Sequence, residues 1–227
     1  MAGFKAIAFD LDDTLLDTSG LLVPLASQRA CEAMIAAGVR CSLEECMKDR
    51  KAMSATHSHT EIFTQIAAKY GTNTEGRAVH DALEKFYNPE VPPVLPLMPD
   101  ALENLIALGR KYRLYLVTVG APEAQISKIR ALNIERFFAG MYILNGFIGE
   151  RKDTAFRDIL SRENIQADEL LCVGNRLSSE IRDGKRVGAM TCYFAHGEHV
   201  GEMPQYPEDH PDFQVHYHRE LTEACGL

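Results

Sequence analysis

Hydrophobic and polar positions follow two different patterns along the chain, and the change between them divides the sequence into regions. An apolar run at residues 5–9 ends directly in Asp10, which predicts a short buried strand followed by a loop. Between residues 21 and 87, apolar residues recur at helical spacing and predict four helices, the second with a capping box that starts at Ser42. The fourth of these helices is expected to begin at Thr74.

After residue 98 the pattern changes to short apolar strands that alternate with helices, which favours a parallel sheet covered on both faces. Five prolines between residues 89 and 99 separate the two regions, because neither a helix nor a central strand tolerates them. The predicted fold class is therefore α/β, with a core of residues 1–15 and 98–227 and a helical insertion at 16–97. The later strands are predicted at 114–117, 141–144, 170–173 and 191–194, with a last one near Phe213.

Composition and charge exclude several classes of function. The chain has 227 residues and a formal net charge of −8, which disfavours nonspecific binding to nucleic acid and to anionic membranes. No apolar run approaches the roughly 18 residues that a membrane span needs. Six cysteines are scattered without a CxxC pair, which favours a reduced, cytoplasmic protein. We therefore expect a cytoplasmic protein with no nucleic-acid or membrane partner, whose oligomeric state the sequence does not indicate.

Two carboxylates follow the first strand at its carboxyl end. Asp10 and Asp12 stand where a buried strand stops, and a desolvated charge is costly unless it binds a cation or takes part in chemistry. This edge of an open α/β sheet is also where ligands bind. Asp10 could attack as a nucleophile, and Asp12 is close enough to move protons.

Three further strand ends carry weaker signals when each is taken alone. Thr118-Val119-Gly120 precedes a helix, an arrangement that suits an anion but is also ordinary turn chemistry. Lys152 near a helix start is equally typical of solvated surface. Asn175 and Glu180 follow the fourth strand, where an acid can simply complement the helix dipole.

In chain order these motifs, Asp-x-Asp-x-Thr, Thr, Lys and Gly-Asn-x4-Glu, resemble those of the haloacid dehalogenase-like (HAD) superfamily of aspartate-nucleophile hydrolases. The resemblance covers essentially the whole chain. It implies a Rossmann-like sheet of strand order 5-4-1-2-3, with residues 16–97 as a C1-type cap domain. It also implies a Mg²⁺-dependent phosphatase that hydrolyses a small phosphorylated metabolite through an aspartyl phosphate.

The resemblance implies a role for each motif residue. Asp10 would be the nucleophile, and Asp12 would serve first as acid and then as base. The phosphoryl group would be bound at the second motif, and the lysine would offset negative charge. The catalytic residues would be Asp10, Asp12, Thr118 and Lys152. The phosphate-binding residues would be Thr118, Val119, Gly120 and Lys152. The metal ligands would be Asp10, Asp12 through its backbone carbonyl, Asn175 and Glu180.

Two positions of the fourth motif depart from the family pattern. Asn175 stands where Asp is usual, so a neutral oxygen replaces a charged one, and Glu180 stands where Asp is more common. Which of the two binds the metal directly is left open by the sequence.

Several alternatives for the activity also stay open. Asp12 favours phosphate-ester hydrolysis over dehalogenation, because dehalogenases of the family lack this acid. The substrate could be a sugar phosphate or a nucleotide. Two alternatives remain. One is a phosphomutase of the same branch. The other is a non-catalytic binding or regulatory protein that kept the fold, which only Asn175 supports.

Overall fold

The computed structural model describes residues 3–54, 56–71, 75–88 and 90–227. The predicted helix start at Thr74 and the connector residue Pro89 lie outside this part. The chain divides into two compact units, one formed by Met1–Thr18 with Val91–Leu227 and the other by Ser19–Glu90. That the second unit works as a cap domain stays a prediction.

Six parallel strands form the sheet of the first unit, in the order β3-β2-β1-β4-β5-β6. This result confirms the predicted α/β class and the order of the first five strands. A sixth strand lies at the predicted place near Phe213. The strands are β1 (Ala6–Phe9), β2 (Arg113–Gly120), β3 (Gly140–Asn145), β4 (Leu170–Gly174), β5 (Met190–Phe194) and β6 (Phe213–Val215).

The two central strands explain why the first motif begins where it does. All residues of β1 and β4 are buried, as expected for strands that are covered on both faces. Phe9 lies opposite Leu116 of β2 and Val173 of β4, so Asp10 leaves the sheet at the level where β4 ends. The Asp10 backbone N–H still donates to the Val173 carbonyl at 2.9 Å, which fixes the first residue after the strand.

The described residues contain ten α-helices. The capping box predicted at Ser42 is confirmed, since its backbone N–H and hydroxyl both contact the carboxylate of Glu45 at 2.8 Å. Among these helices, none combines the length and the apolar character that crossing a membrane requires. The helices are α1 (Thr18–Leu21), α2 (Val23–Ala36), α3 (Leu43–Met53), α4 (His59–Tyr70), α5 (Glu75–Tyr87), α6 (Ala101–Leu108), α7 (Pro122–Leu132), α8 (Lys152–Glu163), α9 (Arg182–Arg186) and α10 (Leu221–Cys225).

The segment after β4 differs from the single helix that the sequence predicts. Residues Leu177–Ile181 form a π-helical turn, and α9 begins only at Arg182. The Glu202 carboxylate accepts hydrogen bonds from the backbone N–H groups of Leu177 (2.7 Å) and Ser178 (3.2 Å), and so caps this turn. Turns of this kind are frequent at functional sites, because the extra residue reorients the side chains around it.

The second unit has its own apolar core between α2, α3, α4 and α5. The ring of His59 lies 4.0 Å from that of Phe86, and the Arg50 guanidinium lies 5.0 Å from the same ring. Large buried side chains fill the remaining space, including Met34, Ile62, Phe63 and Ile66. Because this core lies within the unit, the insertion has the packing of a small helical domain.

A buried ion pair anchors the C-terminal segment of the first unit. The Arg182 guanidinium contacts both oxygens of Asp209, at 2.6 and 2.8 Å, and stacks over the ring of Tyr206. The backbone N–H groups of Gln205 and Tyr206 also donate to Asp209. The hydrogen bond from Arg182 is the largest influence on the Asp209 carboxyl, whose pKa falls to about 2.

We expect Asp209→Asn to lower the free energy of unfolding by about 2 kcal/mol. The folded protein stabilises the ionised carboxylate of Asp209, and asparagine cannot gain that stabilisation. Because the pKa of Asp209 is lowered by folding, its contribution to wild-type stability is complete at pH values above 3.8, the pKa in the unfolded chain. That contribution is lost as the pH falls toward 2. Urea unfolding at pH 7 and at pH 3 measures both effects. Glu208→Gln, a change at the neighbouring carboxylate, is the control. Equal stability of Asp209→Asn and wild type at pH 7 would contradict this account.

Candidate active site

A buried lysine between two carboxylates forms the centre of the site. The Lys152 Nζ atom lies 2.5 Å from Asp10 Oδ1 and 2.6 Å from Glu180 Oε1. The exposed fractions of the three side chains are 2%, 7% and 5% in that order. Three charges at this depth stabilise one another only because they are in contact, since each alone would carry a large desolvation penalty.

Asp183 positions the lysine from a neighbouring helix. Lys152 is the first residue of α8, and its backbone N–H donates to Asp183 Oδ2 at 3.1 Å. The other oxygen of Asp183 binds the Arg151 guanidinium. Asp183 therefore satisfies an N–H at the start of α8 that the helix itself leaves unpaired. The sequence analysis missed this residue, whose only signal is its place three residues after Glu180.

Glu180 folds back against the end of β4. Its Oε1 atom contacts the lysine, and its Oε2 atom accepts the backbone N–H of Arg176 at 3.0 Å. A Cβ atom on Gly174 would lie 2.1 Å from Glu180 Cγ. Glycine is thus needed at position 174, because the Glu180 side chain occupies the space that a side chain at this position would fill.

A second polar cluster surrounds the Asp12 carboxylate. Its Oδ1 atom contacts Thr18 Oγ1 (2.5 Å) and Lys128 Nζ (2.7 Å), and its Oδ2 atom contacts Gln125 Nε2 (2.8 Å). The same Gln125 nitrogen lies 2.6 Å from the Thr118 hydroxyl. Gln125 and Lys128 were missed in the sequence. The signal that could have found them is their spacing of three residues, which places both on one face of the helix that follows Thr118.

Burial and neighbouring charges give the two aspartates different acidities. Burial raises the pKa of Asp10 to about 7; Lys152 opposes this rise, and Glu180 and Asp12 add to it. Burial also acts to raise the pKa of Asp12, but the Lys128 ammonium and the hydrogen bonds it receives outweigh that effect, so the pKa lies below its usual value. The three carboxylates Asp10, Asp12 and Glu180 share only two lysines, an imbalance of charge that a cation would offset.

Thr118, Val119 and Gly120 occupy the last three positions of β2, immediately before α7. The Thr118 side chain is buried next to Gln125. A helix N-terminus at this edge of the sheet presents N–H groups that suit an anion. The structure thus divides the first motif. Asp12 joins Thr118 of the second motif through Gln125. Asp10 instead meets Glu180 of the fourth motif at Lys152.

The donor atoms near Asn175 suit a hard divalent cation. The Asn175 side chain is buried, and its Nδ2 atom donates to the His196 carbonyl at 3.1 Å. Because the nitrogen is used in this way, the amide oxygen is the atom that could bind a cation together with the Asp10 carboxylate. Oxygen donors of this kind fit Mg²⁺.

Asp13, Asp17 and His196 form a further group whose possible ligand atoms all lie within 4.8 Å of one another. The His196 Nε2 atom is 3.1 Å from Asp17 Oδ1. Asp13 packs against Gly197, where a Cβ atom would lie 2.1 Å from its Oδ2 atom and where φ is +80°. The glycine thus permits both the left-handed backbone and the close approach of the carboxylate.

Relatives of known name align with almost the whole chain. A protein of Methanopyrus kandleri named glyceraldehyde 3-phosphate phosphatase is 29% identical over 227 residues, 97% of this chain and 96% of its own. A protein of the same name from Pyrococcus abyssi is 34% identical over 201 residues, 86% of this chain and 82% of its own.

Solved structures share the fold over a similar span. The haloacid dehalogenase-like family protein SP0104 from Streptococcus pneumoniae has a TM-score of 0.70 at 19% identity and covers 98% of this chain and 99% of its own. YfnB from Bacillus subtilis, whose structure is bound to magnesium, has a TM-score of 0.69 at 19% identity and covers 97% of this chain and 98% of its own. At this identity the likeness concerns the fold alone.

The model of the haloacid dehalogenase-like hydrolase family matches residues 7–194, a span that contains all four motifs. The predicted resemblance is thereby confirmed, and so is the prediction of a hydrolase. The chain belongs to the haloacid dehalogenase-like hydrolase family.

Proposed function

We propose that this chain is a Mg²⁺-dependent phosphatase of a small sugar phosphate, with glyceraldehyde 3-phosphate as the first candidate substrate. The observation that carries the proposal is the buried contact of Lys152 with Asp10 and Glu180. A second carboxylate, Asp12, follows two residues after Asp10. The names of the relatives from Methanopyrus kandleri and Pyrococcus abyssi support hydrolysis of a phosphate monoester and favour a sugar phosphate over a nucleotide.

The reaction proceeds in two half-reactions at phosphorus. In the first, an oxygen of Asp10 attacks and the bond between phosphorus and the ester oxygen breaks. Asp12, which takes up a proton when the anionic substrate binds beside it, gives that proton to the departing alkoxide. In the second, water attacks the aspartyl phosphate and Asp12 takes up a proton from it, which releases inorganic phosphate and restores both carboxyl groups. Lys152 engages Oδ1 of Asp10, so Oδ2 is the candidate attacking atom.

The remaining residues bind and orient the phosphoryl group. Thr118 and the amides of Val119 and Gly120 would donate to its oxygens, at the edge where β2 meets α7. Lys152 offsets the charge of Asp10 and of the phosphate. Glu180 keeps Lys152 in place by direct contact.

The cation would be held by Asp10, by the Asp12 backbone carbonyl and by the Asn175 amide oxygen. Both oxygens of Glu180 already accept from protein groups, which favours Asn175 as the direct ligand. When bound, Mg²⁺ supplies positive charge that lets the anionic nucleophile and the anionic substrate approach each other.

The helical unit Ser19–Glu90 is proposed as the cap domain that selects the substrate. Its place in the chain supports this role, because the insertion follows the first motif directly, as in C1-capped members of the family. The partner is then a small phosphorylated molecule, and neither nucleic acid nor a membrane is needed.

We expect Asp10→Asn to abolish turnover while the protein stays folded, because an amide is not a nucleophile. Phosphate release is measured from glyceraldehyde 3-phosphate, other sugar phosphates and nucleotides, with Mg²⁺ and with EDTA. Thermal melting provides the folding control. Acid-quenched wild type should carry a phosphoryl group on Asp10 during turnover.

Three outcomes would contradict the proposal. Turnover by Asp10→Asn near the wild-type rate would remove the covalent mechanism. Full activity in EDTA would remove the cation. Conversion of one sugar-phosphate isomer into another without phosphate release would instead identify a phosphomutase.

We expect Asn175→Asp to lower the melting temperature without Mg²⁺ and to increase the rise in melting temperature that Mg²⁺ causes. Without the cation, the new carboxylate faces the His196 carbonyl with an acceptor where the wild type has a donor, and it adds a negative charge beyond β4, the strand next to the one that Asp10 follows. With the cation, a charged oxygen is the better ligand. Differential scanning fluorimetry over a Mg²⁺ titration measures both shifts.

Asn164→Asp is the matched control, because it adds the same charge at the far end of α8 from Lys152. The control should leave the Mg²⁺-induced shift at the wild-type value. An Asn175→Asp protein with the wild-type shift would show that residue 175 is not a ligand.

A further inference from the structure

We propose that Lys128 and Gln125 are positioning residues that hold the Asp12 carboxyl group in the orientation from which it passes a proton to the leaving group once the anionic substrate is bound. The inference rests on the proposed phosphatase function. It adds two residues of α7 to the reaction, neither of which belongs to the four motifs.

Both oxygens of Asp12 are held from the same helix. Lys128 Nζ lies 2.7 Å from Oδ1, and Gln125 Nε2 lies 2.8 Å from Oδ2. A rotation of the carboxylate about its terminal bond would break both contacts at once. These two side chains, together with Thr18 Oγ1 at 2.5 Å from Oδ1, therefore fix the plane of the group that transfers the proton.

The burial of Lys128 indicates that this contact is more than a surface ion pair. Only 9% of its side chain is exposed, whereas a lysine on the outer face of a helix is normally solvated. Burying an ammonium group is costly unless a carboxylate compensates for it, and Asp12 is the carboxylate that Lys128 contacts. Lys128 and Asp12 are therefore mutually dependent.

Gln125 links the proton-transfer group to the phosphate-binding residue. An amide nitrogen carries two hydrogens, and Gln125 Nε2 lies within 2.8 Å of Asp12 and 2.6 Å of the Thr118 hydroxyl. A Cβ atom on Gly120 would lie only 3.1 Å from Gln125 Cδ, so the glycine leaves room for this side chain. One buried amide thus fixes the distance between Asp12 and the strand end that would bind the phosphoryl group.

The geometry has a consequence that depends on the leaving group. An alkoxide is a poor leaving group and needs the proton of Asp12 as the ester bond breaks, whereas p-nitrophenolate leaves readily without it. Loss of the positioning contacts should therefore slow phosphoryl transfer from an alkyl ester far more than from an aryl ester. The ratio kcat/KM reports this first half-reaction, because it is unaffected by hydrolysis of the phosphoenzyme.

The experiment compares kcat/KM for glyceraldehyde 3-phosphate and for p-nitrophenyl phosphate in wild type, Lys128→Met, Lys128→Arg and Gln125→Met. Proton transfer is typically worth 10²–10⁴ in rate, so we expect Lys128→Met to lose about 10²-fold on the alkyl ester and less than about 3-fold on the aryl ester. Lys128→Arg should recover part of the loss, since it restores a cation. Lys111→Met, at an exposed lysine, should behave as wild type.

Gln125→Met keeps the inference testable if Lys128→Met does not fold or acts by changing the protonation of Asp12, because it removes the amide and leaves the Lys128 charge in place. It should show the same selective loss. Equal losses on both esters would overturn the inference and indicate a structural role only. A higher KM with an unchanged kcat on both esters would overturn the inference and indicate that these residues bind the substrate. If wild type hydrolyses neither ester nor any other phosphate, the proposed function fails, and the inference fails with it.

Discussion

The contact of the Lys152 ammonium with two buried carboxylates is the constraint on which the rest of the site depends. A lysine that is 2% exposed is stable only where anions surround it, so Asp10 and Glu180 must both reach it. This requirement accounts for features that have no other evident purpose. Gly174 lacks a side chain because Glu180 occupies its space, and Asp183 pairs with the first N–H of α8 so that the helix starts at the lysine.

Much of this arrangement follows from the sequence because parallel strands end at one edge of a sheet. Asp10, Thr118 and Asn175 each stand at or just beyond the end of an apolar run, and the strand order brings β1, β2 and β4 side by side. The number of residues between a side chain and the preceding strand end therefore indicates how close that side chain lies to this edge of the sheet. Lys152 is also a candidate from the sequence, although its burial is not evident from a segment that also contains Glu150 and Arg151.

The parts that the sequence did not predict depend on contacts between side chains that are distant in the chain. Gln125 and Lys128 have the composition of a solvated helix face, and only the orientation of α7 beside Asp12 shows them to be buried. The π-helical turn at Leu177–Ile181 likewise depends on Glu202, which lies beyond the next strand and caps it. The spacing of Gln125 and Lys128 places them on one face of α7, but the local pattern does not show which distant residue that face meets.

The two aspartates of the first motif are two residues apart, yet the fold places them in separate environments. Asp10 shares its lysine with Glu180 on the side of α8, and Asp12 has its own lysine on the side of α7. Two identical carboxyl groups would otherwise compete for the same proton, and pairs whose surroundings differ can take different roles. In the proposed mechanism, separate lysines from separate helices would let one carboxylate attack phosphorus while the other transfers protons. That division of labour between Asp10 and Asp12 would depend on α7 and α8, the helices that follow β2 and β3.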